Sequence, residues 1–208
     1  MMEPRLHMEV LTEDESTAAA LELLFVQHLP EDMSYRLIPF NGIEDLRKKL
    51  PGQLAAYRRW IPEHYRLIVI IDRDEADCHD RKGELEAIAQ AAGLPTKSAP
   101  DAYGKFQIIN RIAIEELEAW FFGDVPALSA AYPGVPPSLG ASRAFRQSDA
   151  IKGGTAERLH GVLQNAGHYT GIPKLPKREV ARAVAEQMEP SRNTSPSFRA
   201  FWDTIISL

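Results

Sequence analysis

The strongest structural signal in the sequence is an uninterrupted run of hydrophobic residues near its middle. Arg66 is followed by Leu-Ile-Val-Ile-Ile over positions 67–71, and the run ends at Asp72. A short segment that is apolar at every position and rich in β-branched residues is typical of a strand buried on both faces. Strands of that kind occupy the interior of parallel sheets, which helices cover on both sides. The run therefore predicts the central strand of an α/β protein.

The surrounding sequence alternates between strand-like and helix-like segments. Strands are predicted at 6–12, 35–40, 66–71 and 106–112, and helices at 16–28, 43–60, 80–92 and 114–122. This alternation favours an open, mostly parallel sheet flanked by helices, with right-handed crossover connections.

The character of the sequence changes after Gly123. Four prolines between positions 126 and 137 indicate a long connection, and helices are predicted at 155–166 and 177–188. We therefore expect an α/β core over residues 1–124. A helical C-terminal extension over residues 125–208 is expected to pack on that core, so that the chain forms a single compact unit.

Composition limits the class of protein. The chain has 208 residues, of which 44% are hydrophobic and 25% charged, as in soluble proteins that bury a substantial core. Cys78 is the only cysteine, which excludes an intramolecular disulfide and a cysteine-rich zinc site. No apolar run approaches the ~18 residues of a membrane span, and the acidic start lacks the pattern of a secretory leader. We therefore expect a cytoplasmic protein.

Charge is distributed unevenly along the chain. Residues 1–142 carry 14 Lys/Arg against 23 Asp/Glu, a net charge of −9, whereas residues 143–208 carry 10 against 6, a net charge of +4. Such asymmetry indicates either an acidic site beside a basic binding surface or ordinary solvated faces of both signs. The overall charge of −5 disfavours non-specific coating of DNA, because phosphate contacts supply most of that affinity.

Acidic residues follow two of the predicted strands. Glu13 comes directly after the first strand, and Asp72 and Asp74 come after the hydrophobic one. Ligands of open α/β sheets bind outside the carboxyl ends of the strands, and clustered carboxylates are tolerated where a cation neutralises them. Because no His or Cys lies at ligand spacing nearby, the oxygen ligands favour Mg²⁺ or Mn²⁺ over zinc. The alternative is a solvated acidic turn.

Other motifs that contain such acids do not fit. A calcium-binding loop that started at Asp72 would need Gly at its sixth position and Glu at its twelfth, where the chain has Asp77 and Gly83. A helicase is excluded because no phosphate-binding loop of the form G-x-x-x-x-G-K-[ST] occurs. The phosphatase pattern Asp-x-Asp would require Thr or Val where Ala76 stands.

These segments resemble a known family. Glu13 and the strand that ends in Asp72-x-Asp74 resemble the Toprim domain of topoisomerases, primases and OLD-type nucleases. Domain-of-unknown-function family 4276 is similar in more detail, through the segments LTEDEST, VIIDRDEAD, IEELEAWFFGD, KGGT and NTSPSF, which span most of the chain. The sequence departs from the Toprim pattern at Asp14, where Gly normally follows Glu. Which of the acids at 13–15 acts is therefore open.

The resemblance implies a Toprim-like α/β fold and metal-dependent cleavage of a phosphodiester. Glu13 would be a metal ligand or general base, and Asp72 and Asp74 would be metal ligands for Mg²⁺ or Mn²⁺. A second metal site would use Glu118 or Glu115, which are expected at i and i+3 on one face of the helix after the fourth strand. Alternatively, the acids there only stabilise the first turn of that helix. Lys105 would steady the phosphate in the transition state, or be a solvated lysine.

Basic residues of the C-terminal part are expected to lie along the path of a nucleic acid. The KGGT stretch opens a predicted helix, where free N–H groups can hold a phosphate or where Thr155 simply caps the helix. The predicted nucleic-acid contacts are Lys152, Lys174, Lys177, Arg178 and Arg192.

Three functional hypotheses follow. The first is a Mg²⁺-dependent nuclease that cuts DNA, working with a separately encoded ATPase in defence against phages, as the resemblance to OLD-like systems implies. The second is a catalytically inactive adaptor that regulates a partner. The third, a phosphatase or nucleotidyl transferase for small molecules, would use the same acids in a closed pocket.

Overall fold

A computed structural model describes residues 6–73 and 77–208 of the chain. The described strands form one parallel sheet in the order β2-β1-β3-β4. Their bounds are Leu6–Thr12 for β1, Met33–Pro39 for β2, Tyr65–Asp72 for β3 and Ile108–Ala113 for β4. In β1, Val10 is level with Leu37 of β2 and with Ile68 of β3. The predicted α/β class and the open parallel sheet are confirmed.

Eight α-helices lie within the described part of the chain. They are α1 (Glu15–His28), α2 (Ile43–Tyr57), α3 (Cys78–Ala91), α4 (Glu118–Gly123), α5 (Val125–Ala131), α6 (Thr155–Asn165), α7 (Lys177–Ala185) and α8 (Pro196–Ile206). The two predicted helices near 155 and 177 are confirmed, but the prediction of a helix from Ile114 is wrong. Glu115 has a φ of 63°, which is incompatible with a right-handed helix, so the helix begins only at Glu118.

The central strand is buried on both faces, as predicted. No residue from Leu67 to Ile71 exposes more than 2% of its surface. Leu67, Val69 and Ile71 contribute to a hydrophobic cluster with residues of α2 and α3. Side chains of successive strand residues point to opposite faces, so Ile68 and Ile70 are buried on the other face.

The chain divides into two compact units. Among the described residues, unit 1 contains 6–18, 30–71 and 77–112, and unit 2 contains 19–29, 72–73 and 113–208. The core of unit 1 is the cluster around Leu46, Leu50 and Leu54 of α2. The predicted division into a core over residues 1–124 and a helical extension over residues 125–208 packed on it stays a prediction.

An aromatic cluster forms the core of unit 2. Trp120 stacks on Phe201 with ring centroids 5.3 Å apart and meets Phe198 edge-on at 5.2 Å. Phe25 of α1 lies 6.4 Å from the ring of Phe201. This packing fixes α8 against α4. Within the described residues, no helix combines the length and the apolar character needed to cross a membrane.

Candidate functional site

Glu13 lies at the carboxyl edge of the sheet in unit 1. Its N–H donates to the carbonyl of Ile70 at 3.1 Å, and its carbonyl accepts from the N–H of Gly42 at 2.9 Å. The neighbouring acid, Asp14, plays a different role, because its carboxylate accepts from the N–H of Thr17 at 2.8 Å and so caps α1. Of the three acids at 13–15, Asp14 is therefore the one that caps the helix.

Asp72 ends β3 and is half-buried. The next residue, Arg73, donates its N–H to the carbonyl of Ala113 at 2.9 Å, and its guanidinium forms an ion pair with Glu115. Glu115 is thus held by Arg73 and does not lie on α4 with Glu118, so the expected i, i+3 pair is wrong. Asp74, the remaining predicted ligand of this segment, lies outside the described residues.

A lysine and two glutamates meet in unit 2, and the charge of Asp72 acts on the same lysine. The ammonium of Lys177, at the start of α7, lies 2.8 Å from Glu116 Oε1 and 3.7 Å from Glu118 Oε1. The side chain of Glu118 is 1% exposed, whereas that of Lys177 is 37% exposed. The charge of Asp72 also acts on Lys177. We call Asp72, Glu116, Glu118 and Lys177 the carboxylate–lysine cluster.

Two members of the cluster, Lys177 and Glu116, keep their charges at neutral pH. Burial by itself would lower the pKa of Lys177, but the carboxylates of Glu118 and Glu116, with a smaller effect from Asp72, raise it above its usual value. Burial would raise the pKa of Glu116, but Lys177 and the N–H of Ala156 lower it below its usual value. At neutral pH, Lys177 is therefore a cation and Glu116 an anion.

Glu116 also occupies the N-terminus of α6, where the KGGT stretch suggested a phosphate. Its Oε2 accepts from the hydroxyl of Thr155 at 3.1 Å and from the N–H of Ala156 at 3.0 Å. The cap of this helix is thus a carboxylate from a distant segment, and neither a phosphate nor Thr155 alone is required. Lys152 is exposed just before the helix.

The cluster offers the kind of ligand that hard cations prefer, but it does not form a complete metal site. Carboxylate oxygens are the ligands that Mg²⁺ and Mn²⁺ prefer. Within residues 6–73 and 77–208, however, no group of three or more His, Cys, Asp or Glu side chains is arranged to hold a metal ion. Lys177 supplies the positive charge beside Glu116 and Glu118.

Two basic residues predicted to contact phosphate or nucleic acid, Lys105 and Arg192, form ion pairs with carboxylates of the chain. Lys105 precedes β4 at the amino edge of the sheet in unit 1, opposite to the edge of Glu13, and pairs with Glu63. Arg192 donates from Nε and Nη2 to the fully buried Asp124 at 2.7 and 3.0 Å. Lys174 and Arg178 are exposed beside Lys177 in sequence. The structure therefore does not bring Lys105 to the predicted edge.

Two of the segments that carry the family resemblance are hydrogen-bonded to each other. Asn193 donates from Nδ2 to the carbonyl of Trp120 at 2.8 Å, and the N–H of Thr194 donates to the carbonyl of Gly123 at 2.9 Å. Asp149 accepts from the Ser195 hydroxyl at 2.6 Å and from the N–H of Ser197 at 2.7 Å. The first two contacts join the segments IEELEAWFFGD and NTSPSF, and Asp149 holds the second of these segments. Both segments stand out in the sequence, but nothing in their residues predicts this structural role.

Glu116 is the site residue that the sequence reasoning missed. In a helix expected from Ile114, it is only a favourable anion in the first turn. The sequence does contain a signal for this residue, which is the group of glutamates at 115, 116 and 118. Their different partners depend on the positive φ of Glu115, which the sequence does not show.

Comparison with known proteins identifies a family. The family model described as a domain of unknown function, DUF4276, matches residues 12–206. No curated protein and no solved structure matches the chain. Because the family model covers nearly the whole sequence, the chain belongs to the DUF4276 family.

Proposed function

We propose that this protein is a nuclease of the Toprim type that hydrolyses phosphodiester bonds in DNA with the help of Mg²⁺ or Mn²⁺. The observation that carries the proposal is the carboxylate–lysine cluster, in which Asp72 and Glu118, two residues predicted to bind metal, act on one lysine. Carboxylates and a lysine are the groups that phosphoryl-transfer sites use to hold cations and to contact phosphate.

The proposed metal ligands are Asp72 and Glu118, which the cluster contains, together with Glu13 and Asp74, which the resemblance to Toprim domains adds. The contribution of Glu13 and Asp74 rests on the sequence alone. A divalent cation held by these carboxylates would polarise the phosphate as a Lewis acid. The all-oxygen donor set supports this choice of metal, because soft ligands are missing from the predicted set.

Lys177 has the properties of an electrostatic group and not of a general base. Its raised pKa keeps it protonated at neutral pH, so it can attract and orient a phosphate but cannot accept a proton. Glu116, with its lowered pKa, is ionised and cannot act as a general acid. In this proposal Glu116 holds Lys177 in place, and Lys177 contacts the phosphate.

The nucleic acid is proposed to pass the exposed basic residues near α7. Lys174 and Arg178 flank Lys177 in the sequence and are exposed, and Lys152 is exposed before α6. Phosphate contacts of this kind supply affinity without sequence preference. A separately encoded ATPase is proposed as the partner, and defence against phages as the process, on the basis of the resemblance to OLD-type nucleases.

The test is cleavage of plasmid and single-stranded DNA by the purified chain, with Mg²⁺ or Mn²⁺ and with EDTA. We expect metal-dependent cleavage by the wild type and a loss of about 100-fold or more for Asp72→Asn, because the substitution removes a ligand charge and leaves the side-chain shape unchanged. Lys177→Met is expected to lower the rate by about the same factor.

The matched control is Asp203→Asn, which neutralises an exposed aspartate on α8 in unit 2. This variant is expected to cleave at the wild-type rate. Retention of full cleavage by Asp72→Asn, with its circular dichroism spectrum unchanged, would contradict the proposal.

A second candidate function is an adaptor that regulates a partner and cleaves nothing. One observation favours it: Lys177 lies within ion-pair distance of both Glu116 and Glu118, so part of their negative charge is compensated without a metal. Calorimetric titration with Mn²⁺ separates the two functions. An adaptor gives no binding heat, whereas the nuclease gives a heat that Asp72→Asn abolishes.

A further inference from the structure

A serine, a histidine and a glutamate form a hydrogen-bonded row at the amino edge of the sheet in unit 1. His7 of β1 is level with Ser34 of β2, and its Nδ1 lies 2.8 Å from the hydroxyl of Ser34. The other ring nitrogen, Nε2, lies 3.4 Å from Oε1 of Glu9, two residues further along β1. Residues at i and i+2 of a strand share one face, so the backbone itself holds these side chains together. The row lies at the edge of the sheet opposite to Glu13 and is separate from the proposed nuclease site.

Glu9 determines which nitrogen of the imidazole carries the proton. Its side chain is 5% exposed, and its second oxygen, Oε2, accepts from the hydroxyl of Tyr57 at 2.9 Å. Burial, and then the hydrogen bond to Glu9, raise the pKa of Tyr57 to about 12, so Tyr57 stays a donor at neutral pH. Because a carboxylate only accepts hydrogen bonds, the imidazole proton lies on Nε2, and the lone pair of Nδ1 accepts from the Ser34 hydroxyl. A histidine oriented in this way can take the proton of a serine that acts as a nucleophile.

The row is most accessible toward its serine. Ser34 is half-buried on β2, an edge strand of the described sheet, and the side chain of His7 is 17% exposed. Arg36 follows Ser34 by two residues and is level with Glu9, so its side chain leaves β2 on the same face. Arg36 is exposed, and its charge reaches the Tyr57 hydroxyl, whose pKa it lowers slightly against the larger effect of burial. A cation on the face of the serine can stabilise negative charge that develops during a reaction.

Aromatic rings border the row. The ring of Tyr65 lies 4.4 Å from that of His7, and the ring of Trp60 lies 6.1 Å from Tyr65 and 5.3 Å from Tyr57. Trp60 nevertheless exposes 54% of its surface. An exposed indole held by two other rings offers a planar apolar surface to an organic group.

We propose that Ser34 is the nucleophile of an esterase site for small esters with an apolar group, with His7 as the general base and Glu9 as the residue that positions it. Ser34 Oγ bonds to the acyl carbon while its proton passes to Nδ1 of His7; the bond to the leaving oxygen then breaks, and that oxygen takes the proton. Water next attacks the acyl carbon and gives a proton to His7, the bond to Ser34 breaks, and the serine regains the proton. Arg36 faces the negative acyl oxygen, and Trp60 contacts the apolar group.

The first experiment is labelling of the full chain with a fluorophosphonate, which loses fluoride to an activated serine hydroxyl, followed by mass spectrometry of the peptides. EDTA is present, so that a metal-dependent site does not contribute. We expect the label on Ser34 and none on that peptide in Ser34→Ala. The matched control is Ser98→Ala, at an exposed serine of unit 1, which should be labelled like the wild type.

The second experiment is hydrolysis of p-nitrophenyl butyrate in EDTA. Ser34→Ala and His7→Gln are each expected to lower kcat/KM by about 100-fold or more, because general-base catalysis contributes about 10²–10⁴-fold. His79→Gln, at an exposed histidine of unit 1, should keep the wild-type rate.

Circular dichroism checks the fold of each variant, and the site of the label in the wild type decides if neither variant folds. The proposal is overturned if the fluorophosphonate leaves Ser34 unmodified, or if a folded Ser34→Ala or His7→Gln variant keeps the wild-type rate.

Discussion

Glu116 shows how one side chain can stabilise several elements at once. Its two carboxylate oxygens serve different partners: one accepts from Lys177, and the other accepts from Thr155 and from the N–H of Ala156. The charge therefore stabilises the first turn of α6 and the ammonium at the start of α7 together. Its side chain is 20% exposed, so water screens these interactions only in part.

We expect Glu116→Gln to lower the free energy of unfolding by about 1–2 kcal/mol at pH 7, since Gln loses the charge and keeps a hydrogen-bond acceptor at only one of the two oxygen positions. The pKa of Glu116 is lowered in the folded chain, so its contribution is complete above the usual value of 4.5 and is lost as the pH falls through the folded-state value. The difference between variant and wild type should therefore shrink in acid.

Urea unfolding at several pH values measures this. The matched control is Glu186→Gln, at an exposed position after α7, for which a change of less than about 0.5 kcal/mol is expected. An equal destabilisation at pH 7 and at pH 3 would contradict the assigned role of the charge.

At the scale of elements, α4 depends on a glycine at its end. A Cβ on Gly123 would lie 2.2 Å from Asn193 Oδ1 and 2.8 Å from the backbone nitrogen of Ser195. Real Cβ atoms do not approach other atoms so closely, so the segment 193–195 could not keep its hydrogen bonds to Trp120 and Gly123. The glycine is what lets these two segments meet.

Gly123→Ala is therefore expected to lower the free energy of unfolding by about 1–3 kcal/mol through overpacking. Gly161→Ala is the control: that glycine lies inside α6 with no atom within 4 Å of the added Cβ, and the change should stabilise the chain by about 0.4–1 kcal/mol. Thermal unfolding measures both. Destabilisation of similar size at both positions would contradict the steric explanation.

At the scale of the whole molecule, metal binding and stability are linked. A cation that binds the folded chain and not the unfolded chain raises the free energy of unfolding, by about 2.7 kcal/mol at 100 times its Kd. If Mn²⁺ binds as proposed, the melting temperature of the wild type will rise with Mn²⁺ concentration, and that of Asp72→Asn will stay constant. A rise of equal size in both proteins would place the bound metal away from Asp72.

The pattern of hydrophobic residues determined most of the architecture. The buried run at 67–71 predicted a central parallel strand, and the alternation around it predicted the flanking strands and helices. Burial on both faces leaves a continuous apolar run in the sequence, and burial on one face leaves a period. The family was also evident from segments that the model of DUF4276 covers. The nuclease activity, the metal and the partners stay predictions.

Contacts between distant side chains were decided by the tertiary structure alone. The carboxylate of Glu116 binds the helix that starts at Thr155 and the lysine at position 177, and the start of α4 shifts to Glu118 because Glu115 takes a positive φ and pairs with Arg73. No local period marks such contacts, since they depend on which segments the folded chain brings together. The sequence by itself determined the layers of this protein, and packing in three dimensions determined which charges neutralise one another.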